Sequence, residues 1–261
     1  MNAPAPNADP AELARFSALA HGWWDPQGEL AALHAINPLR LDWIGRQHPL
    51  AGSSVLDVGC GGGILAEAMA RKGAQVLGID LAEKSLRIAQ LHALESGTSG
   101  VTYLQSDAET LAAERAGQFD LVTCMEVLEH VPDPASVVAA CARLVKPGGT
   151  VCFATLHRNP KSFLLAVVAA EYLLHLVPRG THQYARMLRP SELARFGRDA
   201  GLVLAASSGL AYNPITRRYR LSEDTSVNYM LAMTAPESPA SMSECLALGA
   251  AVEKRTDNNL A

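Results

Sequence analysis

Residues 54–80 read SVLDVGCGGGILAEAMARKGAQVLGID, and they restrict the fold more than any other stretch of the chain. A short apolar run (54–58) leads into a glycine cluster, then an amphipathic segment, then a second apolar run (75–79) that ends on Asp80. Strand, glycine loop, helix and strand in this order form half of a nucleotide-binding α/β sheet. Gly59, Gly61, Gly62 and Gly63 permit a tight turn and let a ligand approach the backbone without meeting a Cβ. Asp80 stands about 20 residues beyond the loop, where a carboxylate can accept hydrogen bonds from both ribose hydroxyls.

A dinucleotide site wants glycine at the sixth position of G-x-G-x-x-G, and counting from Gly59 that position is Ile64. The spacing is instead D-x-G-x-G-x-G through Asp57, Gly59, Gly61 and Gly63. It resembles the first motif of class I S-adenosylmethionine-dependent methyltransferases, whose cofactor carries adenosine but no pyrophosphate. Further features fall in register: Asp80, an acidic loop at Ser106–Asp107–Ala108–Glu109, and Lys146–Pro147–Gly148–Gly149 ahead of a strand.

The 261 residues suffice for one α/β domain with a full core and additions. With 49% hydrophobic and 18% charged residues the chain reads as globular rather than disordered. A net charge of −4 argues against a nucleic-acid partner, which usually needs a basic surface. Cys60, Cys124, Cys141, Cys152 and Cys245 show no C-x-x-C pairing, which suits a reducing cytoplasm. The opening MNAPAPNADPAE has no basic-then-apolar pattern, so no export signal is expected.

Residues 1–9 are expected to be disordered and 10–20 helical, with Asp9 as cap and Pro10 in first position. A loop holding Trp23 and Trp24 follows, then a helix over 37–46. The core reads as strand 54–58, helix 63–72, strand 75–79, helix 82–95, strands 101–105 and 119–124, helix 133–145 and strand 150–155. An insertion over 156–189, a helix over 190–200, strands near 202–208 and 227–233, and a mobile tail from 234 with a short helix near 242–253 complete the chain. Alternating strands and helices imply a mostly parallel, seven-stranded Rossmann-like sheet with helices on both faces and a helical lid insertion. Ligands then bind beyond the carboxyl ends of the strands, where the strand order switches.

The strand ending near Cys124 runs into Met125–Glu126–Val127–Leu128–Glu129–His130. Should a helical turn begin here, Glu126, Glu129 and His130 share one face. Such a trio could ligate a divalent metal, with oxygen donors favouring Mg²⁺. Alternatively, His130 could act as a general base, or merely cap the turn before Pro132. Upstream, Arg40 could pair bidentately with a carboxylate, although periodicity alone makes it an ordinary polar residue. Trp23 and Trp24 could line an aromatic pocket or simply pack.

Across 16–233 the chain is similar to the bacterial ubiquinone-biosynthesis O-methyltransferases. The resemblance rests on WWDPQGEL, LHAINPLRL, VLDVGCGGGILAEAMA, LHALESG, TCMEVLEHVPDP, LVKPGG, AEYLLHLVPRGTH, YNPIT and VNYML. It implies transfer of a methyl group to a hydroxyl of a polyprenylated catechol or quinol precursor. It also implies S-adenosylmethionine contacts through Arg40, Gly59, Asp80 and Met125, to which the motif spacing adds Gly61 and Asp107. Through its related eukaryotic members the resemblance also implies a divalent ion at positions matching Glu126, Glu129 and His130. The other possible readings are a class I methyltransferase acting on another small molecule and a non-catalytic, membrane-associated binder of S-adenosylmethionine.

The segment 159–180 holds SFLLAVVAAEYLLHLV, about 16 residues and short of the roughly 20 that span a bilayer. Phe163, Leu164, Leu165 and Leu173 make it apolar, while Arg158, Lys161, Arg179, Arg186 and Arg189 bracket it with positive charge. A lid that touches an anionic membrane surface is expected from this pattern, making the enzyme cytoplasmic and peripheral to the inner membrane. Other ubiquinone-biosynthesis proteins are further candidate partners.

Overall fold

Five strands run side by side in one direction because each is followed by a helix that carries the chain back across the sheet. A computed structural model describes residues 7–162, 184–213 and 215–237. The elements of the half-fold are β1 (Ser54–Val58), α3 (Ile64–Ala70), β2 (Gln75–Asp80), α4 (Glu83–Glu95) and β3 (Val101–Gln105). They are preceded by α1 (Pro10–Leu19) and α2 (Ala31–Gln47). Next come α5 (Ala108–Glu114), β4 (Phe119–Met125), α6 (Pro134–Leu144) and β5 (Val145–Leu156). Then α7 (Pro160–Ser162), α8 (Pro190–Asp199), β6 (Val203–Asn213), β7 (Arg218–Ser222) and β8 (Asn228–Thr234) follow among the described residues.

The sheet order is β3-β2-β1-β4-β5-β8-β6-β7. Strands β3, β2, β1, β4 and β5 are parallel, whereas β8, β6 and β7 join by antiparallel pairing. The sheet has eight strands rather than the expected seven. The addition is β7, RYRLS, an edge strand rich in arginine whose half-buried Tyr219 and Leu221 alternate with polar residues. Strand order reverses between β1 and β4, which places the switch point at Val58 and Met125.

Two apolar layers flank the sheet, set by the two-residue period of the strands. Leu56, Val122, Val151 and Phe153 face α5, α6 and α8. Val55, Leu121, Cys152 and Met230 face Trp43 and Ile44 of α2 and Leu65 and Met69 of α3. Each large side chain buried this way contributes about 1.5–3 kcal/mol.

Several elements differ from the sequence reading. Helix α2 begins at Ala31, not at 37, and carries Pro38 inside it. Packing at both ends carries it past the lost hydrogen bond: Leu30 and Leu33 pack against the cluster of Ala20, Trp23 and Ile64, and Trp43 and Ile44 are buried. The seven-residue α5 is too short to show a period. Strand β5 starts five residues before the expected 150. Residues 7–9 are held rather than loose: Asn7 Nδ2 donates to Glu109 Oε1 at 2.9 Å and Asp9 Oδ1 accepts the Ala11 N–H at 2.9 Å. The four described cysteines are free and buried. Among the described residues no helix is long and apolar enough to cross a membrane. Phe163, Leu164, Leu165, Leu173 and Arg179, the expected tail helix near 242–253 and Cys245 lie outside the described residues.

Candidate active site

The carboxyl ends of β1 to β4 open into one cavity of about 680 Å³, within the roughly 300–1,000 Å³ usual for small-molecule sites. Arg40, Gly59, Gly61, Asp80, Asp107, Met125, Glu126, Glu129 and His130 all line it. The expected site residues therefore share one cleft.

The glycine loop begins where β1 ends. Gly59 adopts φ +69°, and a Cβ there would fall 2.3 Å from Val127 Cγ2. At Gly61 (φ +52°) a Cβ would meet the Trp23 ring at 2.4 Å, and at Gly62 at 2.3 Å. Any larger residue must displace an aromatic wall there. Trp23 is thus packed as expected of a buried indole, and it also lines the cavity.

Asp80, the last residue of β2, is fixed by the loop it faces. Its Oδ2 accepts the Gly61 N–H at 2.9 Å and its Oδ1 the Ala82 N–H at 2.8 Å. Each oxygen keeps a lone pair, so the pair of ribose hydroxyls has acceptors waiting. Burial raises the Asp80 carboxyl from its ordinary value, and the Ala82 and Gly61 N–H groups pull it back. Behind it, Asp57 is buried and accepts from Thr123 Oγ1 at 2.7 Å. Burial pushes its carboxyl up to about 7, with the nearby Asp80 charge adding and Thr123 opposing. Asp107 serves as the N-cap of α5, accepting the Thr110 N–H at 2.6 Å. Met125, nearly buried, closes the floor at the end of β4.

After Met125 the chain does not continue as a helical turn. Glu126 takes a left-handed φ of +55°, uncommon for a residue with a side chain, while its N–H donates to Ala154 O at 2.9 Å. The backbone is not a regular helical turn, yet the Glu126 and Glu129 carboxyls stay in contact. Glu126 Oε1 is ion-paired with Arg40 and accepts from Asn228 Nδ2 at 3.1 Å. Glu129 is buried and accepts from Thr155 Oγ1 at 2.7 Å. Burial lifts its carboxyl well above the usual carboxylate range, and the adjacent Glu126 charge adds to the lift. His130 faces α1: Nδ1 donates to Glu12 Oε2 at 2.8 Å, and the Phe16 ring stands edge-on at 5.1 Å. Glu126, Glu129 and His130 are not brought together as one ligand set: among the described residues no group of three or more His, Cys, Asp or Glu side chains could hold a metal ion.

Glu12, Thr155 and Asn228 are site residues that sequence reasoning missed. Each partner lies 26 to 118 residues from the group it holds, and no local pattern marks such pairings. Arg40 was marked by the resemblance, and its burial at 5% exposure shows that it is no ordinary surface residue.

The arrangement suits an adenosine-bearing cofactor beside a hydroxyl substrate: ribose acceptors at Asp80, a glycine wall, a buried arginine and an imidazole across the cleft. A family model described as a methyltransferase domain matches residues 56–153. The chain is 66% identical over 226 residues to the ubiquinone biosynthesis O-methyltransferase of Albidiferax ferrireducens, covering 87% of this chain and 90% of that protein. It is 64% identical over 233 residues to the protein of the same name from Ralstonia nicotianae, covering 89% and 98%. Among solved structures, magnesium protoporphyrin IX methyltransferase from Synechocystis PCC 6803 with bound SAH superposes with a TM-score of 0.63 at 20% identity, covering 85% of this chain and 94% of that one. That likeness establishes the fold.

Proposed function

The chain belongs to the ubiquinone biosynthesis O-methyltransferase family, and from that premise we propose that it methylates a catechol-type hydroxyl of polyprenylated ubiquinone precursors. It is an enzyme and depends on S-adenosylmethionine. Demethylubiquinol and a polyprenyl hydroxyphenol are the substrates this reading names. The observation that supports it most is the placement of Asp80, Arg40 and His130 around one cavity at the switch point.

S-adenosylmethionine supplies an electrophilic methyl group; as the phenolic oxygen bonds to that carbon the carbon–sulfur bond breaks, leaving an aryl methyl ether and S-adenosylhomocysteine. A phenolic hydroxyl has a pKa near 10, so at neutral pH it needs help to lose its proton. In our reading His130 takes that proton. Glu12 engages Nδ1, which makes Nε2 the nitrogen turned to the substrate. Asp80 holds the ribose, Gly59 and Gly61 permit close approach, and Met125 bounds the adenosine, while Asp107 caps α5 at the edge of the same cavity. Arg40 is assigned to the cofactor carboxylate, with Glu126 as its counter-ion in the cleft.

Our reading uses no divalent cation, since among the described residues no group of three His, Cys, Asp or Glu side chains is placed to hold one. Arg40 and Asn228 occupy Glu126 Oε1, and His130 is turned toward Glu12. No step here passes through Mg²⁺. Membrane contact is proposed from the sequence of 159–180, whose apolar run and bracketing basic residues suit an anionic surface that holds a prenylated substrate.

The deciding assay is transfer of a labelled methyl group to a soluble catechol-type quinol analogue, with and without chelator. Turnover that survives exhaustive chelation supports the His130 reading. Abolition by chelator with rescue by Mg²⁺ replaces it with a metal-assisted one. No transfer to any quinol analogue defeats the substrate assignment.

A further inference from the structure

Two parts of the chain take no part in the chemistry above, yet they meet behind the cofactor loop. The Trp24 ring lies flat on the His92 imidazole, with centroids 3.3 Å apart and planes 5° from parallel. The Trp24 indole N–H donates to the Gly62 carbonyl at 2.9 Å. His92 Nδ1 in turn donates to Glu67 Oε1 at 2.7 Å. Glu67 has no exposed surface, and its other oxygen accepts from Arg71 at 2.8 Å, Thr98 Oγ1 at 3.0 Å and Ser96 Oγ at 3.2 Å.

Glu67 belongs to the first turn of α3, and its own N–H donates to Gly63 O at 2.9 Å. The chain of contacts Glu67–His92–Trp24–Gly62 therefore leaves the loop–helix junction and returns to it at the residue before Gly63, which Glu67 itself bonds. Trp23 supports the same turn from the adjoining side, with its N–H donated to the buried Ser85 Oγ at 3.1 Å. A buried carboxylate is costly unless it is well supplied with donors, and this one is. Its donors fix the imidazole, and the imidazole fixes the indole.

A glycine turn is conformationally loose, so a ligand that needs one shape of it must meet the cost of ordering it. Gly61 and Gly63 both lie in the left-handed region, and Gly62 between them is the residue whose carbonyl Trp24 holds. We propose that Glu67, His92 and Trp24 are positioning residues for S-adenosylmethionine: they hold the turn in its cofactor-accepting shape from behind, and so set cofactor affinity without touching the cofactor.

Trp24→Phe keeps an aromatic ring at this position and removes the N–H donor to Gly62. His92→Gln keeps a donor for Glu67 and removes the stack. Both are titrated as full-length proteins by calorimetry, with S-adenosylmethionine and with S-adenosylhomocysteine. The expected result is a Kd raised about five- to twentyfold for each, the scale of one hydrogen bond. In both variants kcat at saturating cofactor stays within about twofold and the melting temperature of the free protein is nearly unchanged. The double variant should be weakened by less than the product of the single effects, because both act through one path. Wild-type Kd in Trp24→Phe overturns the proposal. So does a fall in kcat at unchanged Kd, or a weakening that disappears once the temperature is lowered to refold the variant. Binding by the wild type tests the cofactor assignment separately, since its failure would leave nothing for these residues to position.

Discussion

Asp57 shows how far burial alone can move one group. Its carboxyl sits near 7 in the folded chain and would titrate near its ordinary 3.8 once unfolded. Between those values the folded state holds a proton that the unfolded state has released. The stabilising contribution is therefore complete below about pH 4 and is lost as pH rises through 7. Asp57→Asn keeps an acceptor for Thr123 and carries no charge. It should stabilise the protein by on the order of 2–4 kcal/mol at pH 8 and by almost nothing at pH 4, read from urea unfolding. An equal effect at both pH values would contradict the burial argument. Asp80 differs because backbone donors hold it, and Asp80→Ala should weaken S-adenosylmethionine binding by about 1–3 kcal/mol. Arg40→Ala should weaken it as well, and wild-type calorimetric affinity in both variants would remove them from the cofactor site. His130→Ala should lower kcat by about 10²–10⁴ while cofactor affinity and melting temperature hold. Lost affinity would make it a binding residue instead. At this scale Asp80 and the glycines were legible, because their spacing is local. Glu12 was not, for its role exists only once α1 lies over His130.

Among the elements, α5 separates two roles that the sequence confounded. Asp107 stood out as an adenosine-side acid, and the fold makes it a helix cap. If capping is its main work, Asp107→Ala should cost about 1 kcal/mol of stability and Asp107→Asn almost none, since an amide oxygen caps equally well. A drop in cofactor affinity for Asp107→Asn at full stability would restore the adenosine role. The strands and helices of the half-fold were readable because period and punctuation agree there. The segment after Met125 departs from the helix that i, i+3 and i+4 spacing presumes, because the left-handed Glu126 ends that continuity, yet Glu126 and Glu129 still meet. Helix α2 was shortened because Asn37–Pro38 looks like a start signal, whereas tertiary packing carries the helix through it. Strand β7 carried an alternation that five residues leave too short to trust.

For the whole molecule, the fold class and the family were both within reach of the sequence, while the closure of the cavity was not. The apolar segment 159–180 makes a prediction that belongs to the complete enzyme. The wild type should cosediment with cardiolipin-rich vesicles, less so at high salt, and Leu164, Leu165 and Leu173 changed together to Asp should abolish it. Undiminished binding by that variant would place the membrane contact elsewhere. Closure of the cavity depends on α1, whose anchors are far away in the chain. Asn7 reaches Asp133, Glu12 reaches His130 and Asp9 pairs with Arg186 at 2.7 Å, 177 residues downstream. During synthesis α1 thus emerges well before the residues that hold it in place. At roughly 5–20 residues per second it waits about 10–35 s for Arg186 to emerge. Until then the glycine loop and Asp80 are in place but stand unroofed, so the nascent chain can meet its cofactor well before it has a closed room in which to use it.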